Sequence, residues 1–122
     1  MILIDTSSWI EMLRASGKVP VRQRVNAFLE SGDARICQPV LLELWSGARG
    51  AAEKKSLREI EAVVPGLPIS DEVWDISYDL AQKARQKGLN VPHVDLLIAA
   101  CAIHHKAGLE TCDRHFEGIF GL

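Results

Sequence analysis

Four of the sixteen acidic residues stand out by their positions, and together they are called the acidic quartet: Asp5, Glu43, Asp95 and Asp113. Asp5 and Asp113 each follow an apolar run that predicts a buried strand. Glu43 and Asp95 lie in the first one or two turns of predicted helices that are otherwise apolar. A charge beside an apolar surface is costly without a partner. We therefore expect the quartet to act together.

Carboxylates gathered at one place favour a divalent cation. Like charges a few ångströms apart raise one another's pKa, and a bound cation removes that repulsion. Mg2+ prefers oxygen ligands and keeps several waters, so carboxylates and a substrate phosphate suit it. Such an ion can activate a water and stabilise charge on phosphate oxygens. The quartet predicts a site for Mg2+, or alternatively Mn2+, that acts on a phosphate.

Three members of the quartet also have an ordinary structural interpretation, which the sequence leaves open. Asp5 could be a helix N-cap, although the hydroxyl residues at positions 6–8 are candidates as well. Asp95 could be a favourable charge at a helix N-terminus, and Asp113 could be a turn residue. For Glu43, which is flanked by leucines, a purely solvent-facing position is less expected.

Short strands and longer helices alternate along the chain. Strands are predicted at 2–4, 34–37 and 109–112, and residues 67–69 form at best an edge strand because Pro68 lacks a ladder donor. Helices are predicted at about 6–14, 21–30, 40–49, 53–64, 71–87 and 93–106. The last is apolar nearly all round, which indicates a central, buried helix. The pattern predicts a three-layer α/β/α sandwich with a mainly parallel central sheet.

Length and composition indicate one globular domain over residues 1–122, with 48% apolar and 25% charged residues. The net charge of −2 gives no general sign of nucleic-acid binding. Lys and Arg do cluster, and for most of them we expect solvated helix faces. The clusters are Arg14, Lys18, Arg22 and Arg24; Arg49, Lys54, Lys55 and Arg58; and Lys83, Arg85 and Lys87.

The three cysteines, Cys37, Cys101 and Cys112, form no CxxC pair. Free thiols are therefore expected, and they suit a reducing cytosol. The first residues show neither the basic region nor the long apolar run of a signal peptide. No stretch approaches the roughly 20 apolar residues of a membrane span. We expect a cytoplasmic protein that does not enter a membrane.

The whole sequence resembles the PIN-domain ribonucleases, and specifically the VapC toxins of bacterial and archaeal toxin–antitoxin pairs. Four segments carry the resemblance: ILIDTSSWI at 2–10, PVLLEL at 39–44 followed by Gly47, DLLIAA at 95–100 and TCDRHF at 111–116. Each segment is short, but their order and spacing together are specific.

The resemblance implies a catalytic and metal-binding role for the acidic quartet. Thr6 or Ser7, and Thr111, match hydroxyl positions that support the carboxylates in the family. Members often carry a further acid where this chain has His115. A surface histidine is the expectation at that position.

The resemblance also implies a reaction and partners. The reaction is endonucleolytic cleavage of structured RNA, commonly transfer or ribosomal RNA, by a metal-activated water. Members are usually homodimers, and a small DNA-binding antitoxin of the VapB type inhibits them. We expect the same substrate class and partners for this chain.

Three other interpretations are weighed against this one. A phosphoacceptor receiver domain would need paired acids after the first strand, a central-strand Asp and a Lys near the last strand. Here Asp5 is followed by Thr6 and Ser7, and no Lys follows residue 106. A phosphatase of the DxD type would need a second Asp at position 7. A non-catalytic PIN-fold binding module differs only in that Asp5→Asn would leave its effect on RNA unchanged.

Overall fold

A parallel three-stranded sheet with the strand order β2-β1-β3 lies among seven helices. The computed structural model describes all 122 residues. The strands are β1 (Ile2–Ile4), β2 (Ala34–Arg35) and β3 (Gly108–Glu110). The helices are α1 (Thr6–Leu13), α2 (Val19–Ser31), α3 (Gln38–Gly47), α4 (Gly50–Val63), α5 (Asp71–Gln86), α6 (His93–His105) and α7 (His115–Phe120). The predicted α/β class with a parallel sheet is confirmed.

The central strand β1 places Asp5 at the carboxyl edge of the sheet. Leu3 and Ile4 are fully buried, and β1 pairs in parallel with both neighbours. Ile4 is in register with Glu110, and the Asp5 amide donates to the Glu110 carbonyl at 3.0 Å. Because the strands are parallel, the residues that follow β1 and β3 emerge at the same edge.

Helix α6 is the buried helix that its composition predicted. It contains seven buried residues, and it packs against α5, α3 and α7. Its only buried charged residue is Asp95, in the first turn. The apolar surface of α6 therefore anchors one acid of the quartet in the core.

Several predicted boundaries differ from the structure. Residues 67–69 form no strand, and Gly66 makes an isolated bridge with Ile36 instead. The third strand ends at Glu110, which leaves residues 111–114 as a loop. The N-cap of α1 is Asp5 rather than one of the hydroxyl residues after it. Helix α7 was not predicted, because six residues are too few for a clear apolar period.

None of the helices combines the length and the apolar character that a membrane crossing requires.

Candidate active site

Asp5 is held in place by donors from both sides of the sheet edge. It is 3% exposed, and its Oδ1 accepts from the Ser7 hydroxyl at 2.7 Å and from the Ser8 amide at 3.2 Å. Its Oδ2 accepts from the Thr111 hydroxyl at 2.7 Å. The amide bond from Ser8 is the N-cap bond of α1. Asp5 therefore fulfils the structural interpretation, and its role as a metal ligand stays a prediction.

The loop after β3 is built around two hydroxyls. Thr111 Oγ1 accepts from the Asp113 amide at 2.9 Å, and Ser7 Oγ accepts from the Cys112 amide at 3.0 Å. The two hydroxyl oxygens are themselves 3.4 Å apart. These bonds turn the chain sharply after the strand and fix the position of Asp113 relative to Asp5.

Asp95 and Asp113 meet at His115. Nδ1 of His115 lies 3.2 Å from Oδ2 of Asp95 and 3.3 Å from Oδ1 of Asp113. The imidazole is half-exposed, with 49% of its side-chain surface accessible. The expected surface histidine therefore also contacts two acids, a relationship that depends on the unpredicted helix α7.

Glu43 is more exposed than the sequence predicted. It is exposed on α3 rather than held against the apolar surface. Its Oε1 accepts from the Thr6 hydroxyl at 2.6 Å, and its charge acts on the Asp95 carboxyl. The flanking leucines were misleading because one of them, Leu42, is itself 72% exposed. The structure brings Glu43 to the rim of the cluster instead of its buried floor.

Burial and neighbouring charge disfavour ionisation at the two buried acids. Burial raises the pKa of Asp5 above its ordinary value, and the charge of Asp113 adds to this, whereas bonds from Ser7, Thr111 and Ser8 lower it. Burial also raises the pKa of Asp95, with further increases from the charges of Asp113 and Glu43. The hydrogen bond from His115 acts in the opposite direction. Clustered acids of this kind gain most from a nearby cation.

The donor set fits a divalent cation. One ligand atom each from Asp95, Asp113 and His115 lie within 4.8 Å of one another. Asp5 is close enough to Asp113 for their charges to interact. Carboxylate oxygens are the ligands that Mg2+ and Mn2+ prefer, and an imidazole nitrogen is a common ligand for transition metals. The cluster could therefore hold a metal ion.

A buried charge network, which was not predicted from the sequence, lies behind Asp5. Glu110 is 7% exposed, and its carboxylate accepts from Arg24 Nε at 2.6 Å and from the Ser8 hydroxyl at 2.8 Å. Arg24 reaches it from α2, across 86 positions of sequence. A Glu in a predicted strand was the only signal, and nothing in the sequence identified its partner. Ser8 thus connects Glu110 to Asp5.

The fold is that of a known family of domains. The sequence model of the PIN domain matches residues 2–120, and this chain belongs to the PIN-domain family. Membership removes the receiver-like interpretation.

Within that family the chain is homologous to VapC ribonucleases. It is 35% identical to ribonuclease VapC11 of Mycobacterium tuberculosis and to VapC ribonuclease Mb1587 of Mycobacterium bovis. In both cases the match covers 98% of this chain and 91% of the relative. The structure of VapBC2 from Rickettsia felis, bound to a DNA fragment from its promoter, matches with a TM-score of 0.82 at 23% identity. That match covers 100% of this chain and 96% of the other and supports the fold.

Proposed function

We propose that this chain is a metal-dependent endoribonuclease that acts as the VapC-type toxin of a toxin–antitoxin pair. The observation that carries the proposal is the contact of Asp95 and Asp113 with His115, with Asp5 close enough to Asp113 for their charges to interact, in a chain homologous to VapC ribonucleases. These acids come from parts of the chain up to 108 positions apart and lie beside an apolar core, which supports a shared site.

The acidic quartet would hold Mg2+ or Mn2+, with His115 as an additional nitrogen donor. When bound, the ion lowers the pKa of a coordinated water and stabilises charge on the phosphate. Thr111 and Ser7 hold the Asp5 carboxylate through both of its oxygens. Thr6 orients Glu43 at the exposed side, where substrate arrives. These hydroxyls reduce the reorganisation that the carboxylates need on binding.

The homology supports a proposal for the substrate and the partners. The proposed substrate is structured RNA, of the transfer or ribosomal class. The proposed partners are a small DNA-binding antitoxin of the VapB type and a second copy of the chain in a homodimer. The solved VapBC complexes that share this fold support an antitoxin partner. We place the protein, as one domain over residues 1–122, in the cytoplasm.

The test is cleavage of purified transfer and ribosomal RNA by the wild type and by Asp5→Asn, with Mg2+ and with EDTA. We expect cleavage only by the wild type with metal, and a rate at least a hundredfold lower for the variant. Asp79→Asn is the matched control, because Asp79 is exposed on α5 and pairs only with Lys83. Equal effects on RNA by wild type and Asp5→Asn would instead support a non-catalytic binding module.

A further inference from the structure

A groove of about 840 Å³ runs between α1, α3 and α4 and reaches Glu43 at one end. We call it the Glu43 groove. Half of its lining residues are apolar, among them Leu13, Leu44 and Leu57. Because Glu43 lines the groove and also lies at the rim of the acidic cluster, the groove adjoins the exposed side of the cluster.

Two of the four charged side chains that line the groove are arginines without a partner. Arg14, at the end of α1, and Arg49, at the start of α4, both line it and are exposed. Neither guanidinium has a hydrogen bond, an ion pair or an aromatic partner in the structure. The other two are the carboxylates of Glu43 and Glu53, which keep their negative charge and each accept a hydrogen bond from a neutral donor. Glu43 accepts from the Thr6 hydroxyl, and Glu53 accepts from the backbone amide of Arg49.

We propose that the Glu43 groove holds the RNA strand that leaves the acidic cluster, with Arg14 and Arg49 contacting its backbone phosphates. This inference rests on the proposed ribonuclease function. A planar guanidinium binds phosphate through two parallel hydrogen bonds, and a free arginine loses no existing partner when it does so. The apolar part of the lining suits the less polar faces of ribose and base.

With this arrangement, the protein can bind RNA although its net charge is acidic. Recognition of a polyanion requires cations along the path of the strand, not a basic molecule as a whole. The groove provides two such cations next to the one surface where acids would otherwise repel RNA. Once the quartet is neutralised by metal, Glu53 is the only remaining carboxylate of the lining.

The experiment measures RNA affinity as a function of salt in the Asp5→Asn background, which separates binding from cleavage. The probe is a short fluorescein-labelled single-stranded RNA, with Mg2+ present. The double variant Arg14→Gln/Arg49→Gln is expected to have a shallower slope of the logarithm of the RNA-binding constant against the logarithm of salt concentration. The slope should fall by about 1.4, since each phosphate contact contributes about 0.7. Each single variant is expected to give about half of that change. The control is Arg85→Gln with Lys87→Gln, which removes two exposed charges outside the groove.

Cleavage kinetics provide a second measurement in the otherwise native protein. We expect the double groove variant to raise KM for RNA about tenfold and to leave kcat within about twofold, because neither arginine touches the acidic cluster. All four charges are exposed, so circular dichroism should show unchanged folding. An unchanged salt slope and KM in a protein that cleaves RNA would overturn the groove proposal alone. That result is also expected if the groove receives a protein segment. Absence of both cleavage and RNA binding would overturn the ribonuclease proposal itself.

Discussion

The Thr111 hydroxyl donates a 2.7 Å hydrogen bond to Oδ2 of Asp5, although 106 positions separate the two residues. The Thr111 hydroxyl oxygen also accepts from the Asp113 amide at 2.9 Å. One hydroxyl therefore fixes an acid of the first strand and an acid of the last loop relative to each other. This bond connects two parts of the cluster that are far apart in sequence.

Replacing Thr111 by Val should loosen the cluster while keeping the side-chain shape. The variant loses the bond to Asp5 and the acceptor for the Asp113 amide, so we expect a loss of about 1–3 kcal/mol in the free energy of unfolding. We also expect metal affinity to fall about tenfold, measured by titration calorimetry with Mn2+. Thr111→Ser keeps the hydroxyl and is the control. Equal Mn2+ affinities for the Val and Ser variants would contradict a positioning role.

Divalent metal should stabilise the folded protein. An ion that binds only the folded state adds about 2.7 kcal/mol when its concentration is a hundred times Kd. For a chain of this size the melting temperature should rise on the order of 10 °C between EDTA and saturating Mg2+. Differential scanning calorimetry measures the shift. Asp95→Asn should reduce it strongly, and identical curves for the wild type with and without metal would count against the site.

The pH dependence of stability should have opposite signs with and without metal. The raised pKa of Asp5 and of Asp95 means that the folded state binds more protons than the unfolded state between their ordinary value of 3.8 and the raised values. In EDTA, the free energy of unfolding of the wild type should therefore increase, relative to that of Asp5→Asn, as the pH falls through this window. With Mg2+ present, protons compete with the ion for the carboxylates. The stabilisation that Mg2+ provides should therefore decrease as the pH falls.

Urea unfolding of both proteins at several pH values measures these two trends. RNA cleavage should weaken below about pH 6 for the same competitive reason. A cleavage rate that stays constant from pH 8 to 5 would be inconsistent with clustered carboxylates as metal ligands.

The ion pair between Arg24 and Glu110 should stabilise the fold only when both partners are present. Arg24→Gln leaves a buried carboxylate without its charged donor, and we expect a loss of about 1–3 kcal/mol, limited by the half-exposed position of Arg24. Adding Glu110→Gln to that variant should restore part of the stability, because the unpaired charge is gone and the bond from Ser8 can remain. A double-mutant cycle in urea measures the coupling. Additive effects of the two substitutions would show that the pair contributes no coupling energy.

The sequence by itself determined the elements and the edge of the sheet where the acids gather. Apolar runs that end at Asp5 and shortly before Asp113 predicted two strands with acids beyond them, and the uniformly apolar segment around Asp95 predicted a buried helix. These predictions succeed because hydrophobic period and strand ends are local properties of the chain. The alternating order of strands and helices then predicts a parallel sheet with its carboxyl ends together.

Only the tertiary structure decided how each acid is surrounded. The contact of His115 with Asp95 and the buried bond between Arg24 and Glu110 join residues 20 and 86 positions apart. The exposure of Glu43 likewise depends on how α3 packs in the folded chain. Burial and hydrogen bonding depend on which side chains those elements bring within about 3 Å, and no local pattern encodes that distance. For the same physical reason, the pKa of Asp5 and the unpaired arginines of the Glu43 groove became visible only once the chain was folded.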